Sequence, residues 1–210
     1  MLVGGRDPMR IIGGRYRSCL LRAPRGRATR PTSDRVREAL FGILEAARVV
    51  EGSRVLDLYA GTGALGLEAL SRGAVAATLV ESSAPALAAL RANIASLGVE
   101  DRTRVVALDV HRASRRILSS GEPFDLVIAD PPWQLVDTGQ AERVLSSLAL
   151  LGALHPEAWI VLEHSARTHP PEANPLVRTE TRAYGDTALT FYKPAILAPR
   201  AVADARLPSD

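Results

Sequence analysis

Apolar residues follow two alternating rhythms along this chain. Short, almost continuous apolar runs at 54–59, 76–81, 104–108, 124–129 and 159–163 alternate with segments at 64–72, 84–97, 111–118 and 140–151 in which apolar residues return every third or fourth position. The short runs predict strands buried on both faces, and the 3.6-residue period predicts helices. Strict alternation of the two predicts a doubly wound, Rossmann-like α/β domain with a mostly parallel sheet and its ligands at the carboxyl ends of the strands. Upstream, Thr32 or Ser33 can cap a helix over 34–47 that lines up Val36, Leu40, Ile43 and Leu44. The stretches 10–17 and 18–21 read as two short strands around Gly13-Gly14. Near the end, 177–183 and 188–192 flank Tyr184-Gly185-Asp186-Thr187, a closing hairpin that adds an antiparallel strand. The predicted organisation is a basic N-terminal extension with a β-hairpin (1–32), one α/β domain (33–194) and a flexible tail (195–210).

Composition narrows the class. The chain has 210 residues, is 47% hydrophobic and contains no apolar run near the length of a membrane span. Its start lacks the apolar core of a signal peptide, and Cys19 stands alone, which together point to a reducing cytoplasm. The four histidines are scattered with no acid at metal-ligand spacing, so no metal is expected. Net charge is only +3, yet residues 1–37 hold ten arginines against Asp7 and Asp34. A basic arm on a mildly acidic body points to a polyanionic partner for the arm.

Two loops carry the chemistry. In Asp57-Leu58-Tyr59-Ala60-Gly61-Thr62-Gly63-Ala64-Leu65-Gly66 a strand enters a glycine turn and a helix, and Glu81 follows at the end of the second strand. The spacing of Gly61, Gly63 and Gly66 fits the dinucleotide fingerprint literally, with Glu81 where a ribose-binding acid belongs. Asp57 argues against a nicotinamide cofactor, because a pyrophosphate at this helix N-terminus would meet a carboxylate. S-adenosylmethionine has no phosphate and carries an ammonium and a sulfonium, so the same acid becomes an asset. Tyr59, Gly61, Thr62, Gly63 and Ser82 belong to this candidate cofactor site. Asp109, with Val110, follows the third strand and would accept the adenine amine.

The second loop is Asp130-Pro131-Pro132-Trp133, which closes the run 124–129. Two prolines remove two backbone donors and end the strand. The corner presents a carboxylate, carbonyls and one aromatic face, which suit a flat ring bearing an exocyclic amine. Asp130 and the Pro131 carbonyl would accept the amine N–H groups, and Trp133 would stack on a base that is unpaired or flipped out. This corner serves adenine N6 as well as guanine N2.

Met9-Arg10-Ile11-Ile12-Gly13-Gly14, the segment 30–41 that begins Arg30-Pro31-Thr32-Ser33-Asp34, the run 57–73, Asp130-Pro131-Pro132-Trp133 and Tyr184-Gly185-Asp186-Thr187 together resemble the RsmD family. The resemblance spans about residues 9–193, with its motifs in the family's order. It implies a class I S-adenosylmethionine-dependent methyltransferase acting on guanine N2 of 16S ribosomal RNA in a partly assembled small subunit; a monomer is expected. The family usually has Phe or Tyr where Trp133 stands. On this reading Arg10, Arg15, Arg17, Arg25, Arg27, Arg30, Arg35 and Arg37 bind phosphates, with Thr32 near the target nucleotide. A non-catalytic RNA-binding assembly protein of the same fold is the alternative from another class.

Overall fold

The computed structural model describes residues 9–24, 33–118 and 121–195. The expected phosphate ligands Arg25, Arg27 and Arg30, together with Thr32 and the tail from residue 196, lie outside the described residues. One seven-stranded sheet organises the chain, in the order β3-β2-β1-β4-β5-β7-β6. Its strands are β1 (Arg54–Leu58), β2 (Ala76–Val80), β3 (Thr103–Val106), β4 (Phe124–Ala129), β5 (Leu154–Ser165), β6 (Leu176–Tyr184) and β7 (Thr187–Pro194). The pairings among β1 to β5 are parallel, and β7 runs antiparallel between β5 and β6. The expected doubly wound sheet with an antiparallel addition is therefore the observed one.

The helices are α1 (Asp34–Ala46), α2 (Ala64–Ser71), α3 (Ala84–Leu97), α4 (Val110–Leu118), α5 (Trp133–Asp137) and α6 (Gln140–Leu150). They cover the sheet with two apolar layers. Leu40, Phe41, Leu67, Leu90 and Ile128 belong to the first, and Leu56, Leu58, Val127, Leu145 and Ile160 to the second. Ser33 caps α1 by accepting the Val36 N–H at 3.3 Å. The order of strands reverses between β1 and β4, the switch point at which an open α/β sheet leaves a crevice for ligands.

The N-terminal segment differs from expectation. Its only strand-like feature among the described residues is one bridge between Arg10 and Leu20, and a turn occupies 13–18. The reason lies in α2. The buried Glu68 carboxylate accepts the N–H groups of Ile12 and Gly13, both at 2.7 Å, which a strand partner would otherwise take. Gly14 has φ +72 and lies so close to Ser71 that a Cβ would collide with the Ser71 carbonyl. Ile11 and Leu21 sink into the apolar layer shared with α1 to α3. Arg72 completes the clasp by bonding Glu68 at 2.7 Å and Glu45 at 2.8 Å while its guanidinium lies 5.1 Å from the Phe41 ring centre.

Removing Glu68 leaves two amide N–H groups without their acceptor and takes from the Arg72 guanidinium one of its two carboxylate partners. Glu68→Ala should lower the unfolding free energy by about 3–5 kcal/mol in urea titrations. A loss below about 1 kcal/mol would show the clasp to be ornamental.

Candidate active site at the carboxyl edge of the sheet

The ends of β1, β2 and β4 are in register, with Leu58 opposite both Val80 and Ala129. The residues that follow them therefore meet at one edge. Asp130 continues β4, its N–H pointing to the Leu58 carbonyl at 3.5 Å. Asp57 lies one residue before the end of β1, on the face that α2 covers, and is 1% exposed. Its Oδ2 accepts the Gly66 N–H at 2.8 Å, whereas its Oδ1 is buried without a hydrogen-bond partner among the described residues. A Cβ at Gly66 would collide with a Leu79 methyl and press on Asp57, so a side chain enters there only if Leu79 shifts. Burial raises the Asp57 carboxyl to about 8, the Gly66 bond opposes the shift, and the charges of Asp130 and Glu81 add to it. Three carboxyl groups thus converge on one crevice, a setting that repels a pyrophosphate and attracts a cation.

Glu81 braces the glycine turn. One of its oxygens accepts the Gly61 N–H at 2.8 Å, and the other accepts the N–H groups of Ser82 and Ser83, each at 2.7 Å. Gly61 and Gly63 have φ of +56 and +83, conformations that an L side chain resists. Tyr59 adopts φ +64 despite its side chain. Strand alternation would send the phenol to the α2 face, and this φ turns it to the other, where it packs against the α4–α6 layer. Its hydroxyl is buried without a partner among the described residues, and burial, with Asp109 and Glu142 adding, raises it to about 12. Asp109 is exposed and caps α4, accepting the His111 N–H at 3.0 Å; Val110 behind it is buried.

At the corner, Pro131 is buried, Pro132 exposed and Trp133 half-buried. The Pro132 carbonyl accepts the Leu135 N–H at 2.8 Å and so starts α5, a helix the apolar period did not reveal. A separate groove of about 480 Å³ runs between α1 and β6, lined by Ala39, Trp159 and Arg182 among others, and includes none of these residues.

The family model described as "Conserved hypothetical protein 95" matches residues 9–193. Ribosomal RNA small subunit methyltransferase D of Escherichia coli K12 is 39% identical over 167 residues, which is 80% of this chain and 80% of that one. The chain belongs to the RsmD family. YlbH of Bacillus subtilis 168, provisionally named an rRNA methyltransferase, is 32% identical across 88% of this chain and 98% of its own length. Among solved structures, yhhF of Escherichia coli, provisionally named a methyltransferase, superposes with a TM-score of 0.75 at 36% identity, covering 90% of this chain and 98% of that one.

The RsmD-family motifs separate into two kinds in this structure. The stretches 57–66 and 130–133 form the crevice, whereas 9–14 forms the clasp on α2. The expected phosphate ligands divide as well. Arg10 and Arg35 are exposed near the start of α1, and Arg10 adjoins Met9, whose Sδ accepts the Thr62 hydroxyl at 3.2 Å. Arg15 and Arg17 are exposed at the Ser71 end of α2, roughly 12 Å along the helix from the crevice. Arg37 corrects the expectation: it is 1% exposed, and its Nη2 bonds Asp34 at 2.7 Å and the Arg10 carbonyl at 2.9 Å. Sequence reading also passed over Asn93, although a carboxamide between Leu90 and Ile94 on the buried face of α3 is a visible break in the apolar pattern.

Proposed function

We propose that this chain transfers the methyl group of S-adenosylmethionine to the exocyclic N2 amine of a guanine in 16S ribosomal RNA. It acts in the cytoplasm as a monomer on a partly assembled small subunit. The observation that carries this reading is the pairing, across β1 and β4, of a buried carboxylate with an unsatisfied oxygen and an Asp-Pro-Pro-Trp corner. Membership in a family that includes a small-subunit ribosomal RNA methyltransferase supports the RNA and the subunit. The donor set fits the cofactor: Asp57 faces cationic groups, Glu81 offers a carboxylate to the ribose, Asp109 and Val110 flank the adenine, and the turn at Gly61, Thr62 and Gly63 lies against it.

The bound cofactor supplies a methyl group already activated on sulfur. The protein's task is alignment and exclusion of water. Asp130 and the Pro131 carbonyl accept the two amine hydrogens, which turns the nitrogen lone pair away from the base ring. Trp133 holds the base by its face, and Pro132 fixes the turn that places both. Once the nitrogen gains positive charge, the Asp130 carboxylate stabilises it and accepts the proton it sheds. Exposed Arg10, Arg15, Arg17 and Arg35, and the arginines at 25, 27 and 30, attract the RNA backbone.

Nucleoside mass spectrometry of small-subunit RNA after incubation with isotope-labelled cofactor tests the acceptor. N2-methylguanosine is expected, and methyladenosine in its place would sink the guanine assignment. Changing Arg25 and Arg27 together to Glu should weaken RNA binding at least about tenfold and reduce the salt slope by roughly two. An unchanged slope would remove the arm from the interface.

A further inference from the structure

Asn93 lies in α3, 1% exposed, with every polar atom of its side chain engaged. Its Oδ1 accepts the Arg22 N–H at 2.7 Å, and its Nδ2 donates to the Arg22 carbonyl at 3.1 Å and to the Thr62 carbonyl at 2.9 Å. One carboxamide therefore grips residue 22 on both sides of its peptide and the middle of the glycine turn at the same time. The Thr62 hydroxyl reaches the same N-terminal segment a second time through Met9. Arg22 itself is exposed, and it precedes the arginines at 25, 27 and 30.

We propose that Asn93 is a positioning residue that couples RNA capture to cofactor binding, resting on the rRNA methyltransferase reading above. The turn 60–63 contains two glycines at positive φ and has little intrinsic preference for its observed shape. Its own Gly63 N–H bonds the Ala60 carbonyl at 2.7 Å and the Ala60 N–H bonds the Val80 carbonyl at 2.9 Å, and two side chains tie it further, Glu81 on one side and Asn93 on the other. A ligand that immobilises the turn also immobilises Arg22 through the shared carboxamide. A phosphate held by Arg22 in turn holds the Thr62 carbonyl in place. Each ligand then meets a partly ordered site and binds more tightly in the presence of the other, by the same factor in both directions.

The test is a ratio. Affinity for small-subunit particles assembled in vitro is measured by filter binding with and without saturating S-adenosylhomocysteine. Wild type should bind particles about 5–20-fold more tightly with the cofactor product present. Asn93→Asp keeps the size and the acceptor for the Arg22 N–H, but it loses both donated bonds and sets an oxygen against two carbonyls. Asn93→Ala removes all three bonds. In both, the ratio should fall to within about twofold of one, whatever happens to either affinity alone; a purely structural defect lowers both affinities and leaves the ratio. Arg22→Ala keeps the backbone ties but removes the phosphate ligand through which the coupling runs, so it should weaken particle binding and lower the ratio as well. A wild-type ratio of one, or a ratio preserved in a folded Asn93→Asp protein, overturns the coupling. Failure of wild type to bind particles at all overturns the rRNA reading instead, before any variant is made.

Discussion

Asp130→Ala should lower the single-turnover rate of methyl transfer by about 10²–10³-fold while the protein still folds and still binds S-adenosylhomocysteine within about threefold. The backbone contact of Asp130 with Leu58 survives the substitution, and the two prolines still end β4, so the corner keeps its shape. Cofactor contacts assigned to Asp57, Glu81 and Asp109 are untouched. On the proposed mechanism, what disappears is the acceptor that orients the amine and the negative charge beside the nitrogen as it becomes cationic. Asp130→Asn keeps an acceptor of the same size without the charge and should fall between the two. Stopped-time assays with enzyme in excess, alongside calorimetry of cofactor binding, read the two effects separately. A rate within a few-fold of wild type would mean that Asp130 is only a strand terminator.

The crevice was legible in the sequence because its parts are local. Prolines at 131 and 132 and glycines at 61, 63 and 66 announce backbone geometry directly, and the acids stand at fixed offsets from them. The sheet was legible because strands buried on both faces leave continuous apolar runs. Illegible parts depend on contacts between distant positions. Nothing near Ile12 or Gly13 says that their N–H groups will meet the carboxylate of Glu68, more than fifty residues away, and so a pair of strands was the natural expectation for 10–21. Arg37 looked like the other arginines of the arm, but its place on the buried face of α1 beside Val36, Leu40 and Phe41 sends it inward. Five residues from Trp133 to Asp137 are too few to show a helical period.

The clasp gives the family's N-terminal motif a physical meaning separate from catalysis. Residues 9–14 run along α2 from Thr62 at the crevice to Ser71 at the far end, and 18–22 return to Asn93. The segment is thus anchored on both of its strokes beside the glycine turn. On the proposed function, electrostatic attraction to RNA and order in the glycine turn share one scaffold.

Raising the pH from 5 to 8 should destabilise the cofactor-free protein and strengthen its grip on the cationic cofactor, both through Asp57. Its carboxyl titrates near 8 in the folded protein, against 3.8 ordinarily, because burial outweighs the Gly66 hydrogen bond and the neighbouring Asp130 and Glu81 carboxylates add to the shift. The unfolded chain therefore loses this proton near pH 4, while the folded chain keeps it until about 8. Across that window the native state binds more protons than the unfolded one, so stability falls as pH rises and levels off above it. Asp57→Asn keeps an acceptor for the Gly66 N–H and cannot ionise. It should match wild type near pH 4 and exceed it by about 2–4 kcal/mol at pH 8 in urea titrations. A cationic ligand reverses the preference by favouring the ionised carboxylate, and so binding at pH 7 should release up to one proton. Calorimetry of S-adenosylmethionine binding in two buffers of different ionisation heat counts that proton, and wild-type affinity should rise by up to about tenfold per pH unit below 8. The cofactor's own amine also titrates in this range, but it does so equally with Asp57→Asn, so the difference between the two proteins isolates the carboxyl. The variant should bind the cofactor more weakly with no Asp57 contribution to the released proton. Equal proton release from both proteins, together with equal stability at pH 8, would mean that Asp57 is ionised throughout and that the buried oxygen plays no part in holding the cation.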